Sequence, residues 1–268
     1  MELEPKDKGS FWQIIFALKE DNTEPLSKRL GRALSLAENS VFLPESFSNE
    51  LNIHYNRPHI FVLVGPSGVG KSVLVDRLLP YFLNDFKSIA ILATDPTSTV
   101  SGGALLGDRV RISNENIDSR VFYRSVASRG SNKSYSDSIP DMIQVLSIFE
   151  VEVVLVESMG VAQQDVSSSL IADTLVNVLS PSAGDEIQIY KSGILEFGDI
   201  FFINKVDIHN SDSVFNLLQM KVNKGEGNQK TDFPKVIRGS ATERLGIKDL
   251  YFSMLSHLNN VNPLGFED

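Results

Sequence analysis

Ile60-Phe-Val-Leu-Val64 runs without a break into Gly65-Pro-Ser-Gly-Val-Gly-Lys-Ser72, and the reading of the whole chain turns on this stretch. Five consecutive apolar residues suit a strand buried on both faces. The glycines that follow let the backbone wrap tightly with its N–H groups turned inward, and a helix starting at Lys71 adds the positive end of its dipole. Between a strand and a helix, G-x-x-x-x-G-K-S is a phosphate loop. Lys71 is placed to reach the β- and γ-phosphates and the Ser72 hydroxyl to ligate Mg²⁺. The expected nucleotide contacts are Gly65, Pro66, Ser67, Gly68, Val69, Gly70, Lys71, Ser72 and Val73. The plainer alternative is a glycine-rich turn joining an ordinary strand and helix.

On the C-terminal side, apolar runs alternate with helical patterns. Strands are expected at Ile60–Val64, Ser88–Ala93, Arg120–Tyr123, Val153–Val156, Thr174–Leu179, Ile200–Ile203 and Val236–Gly239, with helices near Lys71–Leu83, Ile139–Phe149, Glu186–Glu196, Ser211–Val222 and Ile247–Leu258. Such alternation implies an α/β fold: a mainly parallel sheet with helices on both faces. Long Ser/Gly-rich loops at Asp95–Asp118 and Ala127–Ser138 follow strands, where ligands bind in open α/β sheets. On the N-terminal side, Phe11, Ile14, Ile15 and Leu18, and then Leu30, Ala33, Leu34 and Ala37, fall at helical spacing. The expected organisation is a helical extension over residues 1–57 and a phosphate-loop domain over 58–268.

A second motif selects the base. The strand Ile200–Ile203 ends in Asn204-Lys205-Val206-Asp207. A carboxylate at Asp207 accepts hydrogen bonds from the ring N–H and exocyclic amine of guanine, whereas adenine would meet it with an acceptor, a costly mismatch in a polar site. Lys205 would lie along the base plane and Asn204 would tie loops together. After a later strand, Ser240-Ala241 supplies a loop whose backbone N–H can meet the guanine oxygen. Read alone, the Asn204–Asp207 stretch also fits a strand-to-helix turn with Asp207 near a helix N-cap.

Val153-Val-Leu-Val-Glu157 delivers a carboxylate from a buried strand, the usual position of an acid beside Mg²⁺. Asp95 and Asp108 are further candidate metal ligands. Their plainer readings are a strand-end cap and an exposed loop acid. Gly160 would let a backbone N–H meet the γ-phosphate, and Gln163 either orients the attacking water or is an exposed loop amide.

The bulk numbers bound the rest. The 268 residues carry a formal charge of −9 and no cysteine. That charge argues against a nucleic-acid protein, which needs a basic footprint, and the lack of cysteine excludes disulfides and thiolate metal sites. No apolar stretch approaches the roughly 20 residues that span a bilayer. The acidic N-terminus lacks a basic signal region, so a cytoplasmic protein with no membrane contact is expected.

Asp95-Pro-Thr-Ser98 with Ser101-Gly-Gly-Ala-Leu-Leu-Gly-Asp-Arg109, Arg124-Ser125 with Ser128-Arg129-Gly130, Glu157-Ser-Met-Gly-Val-Ala-Gln163, and Ala183-Gly-Asp-Glu-Ile-Gln188 with Gly193-Ile-Leu-Glu196 resemble, in order, the segments of the MeaB/ArgK-type GTPases. These are the methylmalonyl-CoA mutase-associated GTPases. The resemblance covers roughly residues 11–260. It implies slow Mg-dependent GTP hydrolysis to GDP, with Lys71, Glu157, Asp108 and Gln163 in catalytic roles and Asp95, Asp108 and Glu157 around Mg²⁺. It also implies a protein partner, a cobalamin-dependent acyl-CoA mutase whose cofactor loading is gated, through a further switch at Ser182–Gly193. Ile189, Ser192, Ala162 and Ser131–Tyr135 depart from the family pattern. A homodimer would be expected of the family, but its C-terminal dimerisation arm has no counterpart, since the sequence ends 27 residues after Ala241. Two alternatives are a nickel-type metallochaperone GTPase, disfavoured by four scattered histidines and no cysteine, and a GTP-binding scaffold that no longer hydrolyses.

Overall fold

The computed structural model describes residues 8–39, 56–95, 118–127, 138–158, 171–181, 198–223 and 234–261. Two helices come first, α1 (Lys8–Glu20) and α2 (Leu26–Asn39). Then follow β1 (His59–Val64), α3 (Lys71–Asp85), β2 (Ile89–Asp95), β3 (Val121–Ala127), α4 (Ile139–Ile148), β4 (Val153–Glu157), β5 (Thr174–Leu179), β6 (Ile200–Ile203), α5 (Asp212–Asn223), β7 (Lys235–Arg238) and α6 (Ile247–Val261). Among the described residues seven strands form one sheet in the order β3-β2-β4-β1-β5-β6-β7. Every pairing is parallel. The helix expected at Glu186–Glu196 and most of the two long loops lie outside the described residues.

The apolar runs are continuous because both faces of the sheet are covered. Alternate residues divide between two cores. Ile60, Val62, Val64, Ala90, Leu92, Val154 and Val156 pack with α4. Phe61, Leu63, Ile89, Ile91, Val153, Leu155 and Phe202 pack with α3 and α6. Phe201 and Ile203 meet Val214 and Leu218 of α5.

The N-terminal helices add Phe11, Trp12, Ile15, Leu30, Ala33 and Leu34 to the first of these cores. Buried Arg29 joins α2 to α1, donating from Nη1 to the carbonyls of Leu18, at 3.2 Å, and Lys19. It thereby caps carbonyls that the end of α1 leaves unpaired. Arg124 on β3 donates to Glu38 of α2 at 2.5 Å and to the Gly31 carbonyl at 3.3 Å.

From β1 the chain moves to β2 and β3 on one side of the sheet, and after β4 crosses to β5, β6 and β7 on the other. The topological switch therefore lies at the C-terminal end of β1, where open α/β sheets bind ligands. Among the described residues no helix is long and apolar enough to cross a membrane.

Candidate functional site

At that switch point the chain turns from β1 into α3 through Gly65–Gly70. Gly65 has φ 154° and Gly70 has φ 102°. Both need glycine for a second reason, namely what a side chain would strike. A Cβ on Gly65 would lie 2.3 Å from the Val178 carbonyl oxygen of β5, and one on Gly70 would lie 2.4 Å from Nδ2 of Asn204. Helix α3 begins at once, with Leu74 N–H donating to Gly70 O at 2.9 Å.

Lys71 is buried, and its ammonium donates to the carbonyls of Gly65 (2.8 Å) and Pro66 (3.1 Å), which holds it along the loop. Ser72 Oγ donates to Glu157 Oε1 at 2.6 Å. Parallel register explains how these two meet: Glu157 ends β4 and sits opposite Leu63 of β1 and Ala93 of β2. β2 runs two residues further than its apolar run, through Thr94 to Asp95, which pairs with Ala127 of β3. Asp95 thus sits at the sheet edge that carries Glu157.

On the other side of β1, Asn204 follows β6 and is buried. Its Nδ2 donates to Val69 O of the phosphate loop at 2.8 Å, and its Oδ1 accepts from Ala241 N–H at 2.8 Å. One side chain therefore ties the phosphate loop to the loop after β7. Lys205 adopts φ 64°, a conformation that costs a non-glycine residue energy and marks functional turns, and its Nζ donates to Gly68 O at 2.6 Å. Asp207 is exposed. It does not cap the next helix, since α5 starts only at Asp212. Buried Ser240 closes its own loop by exchanging backbone hydrogen bonds with Leu245, at 3.1 and 2.9 Å, while its hydroxyl accepts from Glu243 N–H at 3.2 Å. Exposed Val73 follows Ser72 on α3. Asp108, Gly160, Gln163 and the segment Ser182–Gly193 lie outside the described residues.

Three polar groups had no contiguous motif to announce them. Arg77 of α3 donates from Nε to Ala241 O at 3.3 Å. Thr174, Asp199 and His257 cluster at the opposite end of the sheet. Asp141 stands in the first turn of α4, and burial pushes its carboxyl up to about 7.

The sign of the Asp141 effect follows from linkage. Its carboxyl lies above its ordinary value of 3.8, so the folded chain holds a proton that the unfolded chain has released. This contribution to stability is complete below about pH 4 and is lost as pH rises toward 7. The urea midpoint is accordingly expected to fall between pH 5 and pH 8 in the wild type and to fall less in Asp141→Asn. A parallel fall in both would show that other groups carry it.

The model of the methylmalonyl Co-A mutase-associated GTPases, MeaB, matches residues 30–268. The chain belongs to the MeaB family. A Pyrococcus horikoshii protein named as a GTPase is 33% identical to this MeaB-family chain over 247 residues, 91% of the chain and 77% of that protein. The fused isobutyryl-CoA mutase of Geobacillus kaustophilus is 36% identical over 153 residues, 56% of this chain and 14% of that protein. Among solved structures, an LAO/AO transport system kinase superposes with a TM-score of 0.58 at 17% identity, covering 98% of this chain and 74% of that one. At that identity the likeness speaks to the fold alone.

Proposed function

We propose that this MeaB-family GTPase is a Mg-dependent enzyme that converts GTP to GDP slowly when alone and acts as chaperone to a cobalamin-dependent acyl-CoA mutase. The observation that carries the nucleotide reading is the Asn204 bridge, because it fixes the phosphate loop and the loop after β7 against a single side chain beside Lys205 and Asp207. Asp207, exposed beside that bridge, is free of the helix-capping role that would compete with base recognition.

The Ser72 hydroxyl and Glu157 carboxylate, 2.6 Å apart, are hard oxygen donors of the kind Mg²⁺ takes. Ser72 and Glu157 would hold the ion, with Asp95 and Asp108 as further acids. Bound Mg²⁺ supplies charge neutralisation at the β- and γ-phosphates. Lys71 supplies a fixed positive charge to the same oxygens, a role in positioning and electrostatic stabilisation that is most of what phosphoryl transfer asks of a protein. Gln163 and Gly160 are assigned to the water and the γ-phosphate.

A mutase partner is supported by the fused isobutyryl-CoA mutases, in which a segment like this chain is part of one polypeptide with the mutase. The test is turnover by the purified chain with Mg²⁺ or with a chelator, with GTP or ATP, alone or with an acyl-CoA mutase. Hydrolysis restricted to Mg-GTP and altered by the mutase is expected. GTP binding with no turnover under any condition would favour the scaffold alternative. Asp207→Asn is expected to lower GTP affinity by more than about tenfold and to raise affinity for xanthosine triphosphate, whose 2-oxo group can accept from an amide where guanine offers only donors. Unchanged base preference would refute the role of Asp207.

A further inference from the structure

Ala241 has both of its backbone polar groups held by side chains from other elements. Its N–H donates to Asn204 Oδ1, after β6, at 2.8 Å. Its carbonyl accepts from Arg77 Nε, on α3, at 3.3 Å. Ala241 itself is 2% exposed, so loss of either partner leaves a poorly solvated group wanting one. Arg77 is steadied in turn by the neighbouring Asp76 carboxylate, 3.5 Å from its Nη1.

A trans peptide unit is planar, with its C=O and N–H pointing in opposite directions. Fixing the Ala241 carbonyl toward α3 therefore fixes the Thr242 N–H away from α3. Arg77 thus sets the plane of the Ala241–Thr242 peptide, while Asn204 sets that of the peptide before it. The helix that carries Lys71 and Ser72 at its start carries Arg77 about two turns along, so the element that addresses phosphate also governs the shape of the second loop.

We propose that Arg77 is a positioning residue for base recognition: it orients the Ala241–Thr242 peptide so that this loop receives a 6-oxopurine. The proposal rests on the guanine reading of the site given above. Arg77 touches neither the base nor the phosphates in this role; it acts through the loop.

The experiment compares binding of GDP, IDP and ADP by the full chain, as wild type, Arg77→Met and Arg77→Lys, with thermal melting of each. GDP and IDP share the 6-oxo group, and ADP carries an amine in its place. Arg77→Met is expected to weaken GDP and IDP by about three- to tenfold, the span of one net hydrogen bond, and to leave ADP unchanged. Arg77→Lys, which keeps a donor, is expected to recover part of the loss. If Arg77→Met leaves GDP affinity unchanged, or weakens GDP and ADP in the same proportion, the positioning role is overturned. A wild-type chain that holds GDP no more tightly than ADP would overturn the guanine reading itself, an outcome visible before any variant is measured. Should Arg77→Met fail to fold, Arg77→Leu, which likewise removes the donor, replaces it under the same criteria.

Discussion

Gly70→Ala is expected to lose nucleotide binding altogether and to melt earlier than the wild type. Gly70 sits at φ 102°, in the region that side chains rarely occupy, and the added methyl would lie 2.4 Å from Asn204 Nδ2. Neither problem has a cheap remedy. Returning φ to negative values would turn the loop amides and displace the start of α3, where Leu74 N–H bonds Gly70 O. Moving Asn204 would break its bonds to Val69 O and Ala241 N–H, leaving two buried polar groups unpaired at about 1–3 kcal/mol each. The backbone strain adds about 1–2 kcal/mol. Titration with GDP and with GTP, alongside thermal melting, checks this. Wild-type affinity in Gly70→Ala would mean that the loop relaxes around the methyl, and that the contact between Gly70 and Asn204 does not set its shape. Gly68 is the internal control. It also has positive φ, but a Cβ there meets no heavy atom within 4 Å, so Gly68→Ala should show the strain without the collision.

All seven strands were legible in the sequence, and their bounds were read most closely where both faces are buried, because there burial writes a nearly unbroken apolar run. β1, β4, β5 and β6 are of this kind. The reading stopped short in β2, which ends in Thr94 and Asp95, and in β3, where Arg124 and Ser125 interrupt the apolar run. β3 lies at the end of the sheet and carries Arg124, which is held by Glu38 and the Gly31 carbonyl of α2. A strand that answers to a distant helix need not alternate or run apolar, so a period-two pattern has nothing to detect. β7, at the other end of the sheet, began one residue early for a similar reason, with the charged and half-buried Lys235 as its first member.

The site divides in the same way. The phosphate loop and the Asn204–Asp207 stretch are legible because each does its work through neighbouring backbone groups, so spacing alone encodes the chemistry. The ties between them are not. Arg77 and Ala241 are 164 positions apart, and Thr174 and His257 are 83 apart. A single Arg on the half-exposed face of α3 reads as a solvated charge until the loop after β7 is folded against it. Asp141 is similar, since an acid in the first turn of a helix is favoured by the dipole and only its burial makes it unusual.

Asp199→Ala tests the opposite end of the sheet, where stability rather than nucleotide is at stake. Asp199 precedes β6 and is buried. It accepts Leu175 N–H of β5 through Oδ2 at 2.8 Å, and its Oδ1 lies 3.3 Å from Nε2 of His257 on α6. His257, itself 2% exposed, meets Thr174 Oγ1 through Nδ1 at 2.9 Å. This Asp–His–Thr sequence has the order of a hydrolytic triad, but Thr174 is fully buried, so no substrate reaches its hydroxyl. It acts instead as a clasp between α6 and the N-terminal ends of β5 and β6. Truncating Asp199 strands the Leu175 amide and removes the carboxylate that faces His257 Nε2, for an expected loss of about 2–5 kcal/mol in chemical unfolding. GDP affinity measured well below the new melting temperature should be unchanged, because the clasp lies at the far end of the strands from Lys71 and Asn204. Asp199→Asn should fall between the two, since its amide oxygen can still accept the Leu175 N–H. A weakened GDP affinity in a chain that remains folded would show that the two ends of the sheet are coupled through β5 and β6, and that the clasp serves the site as well as the fold.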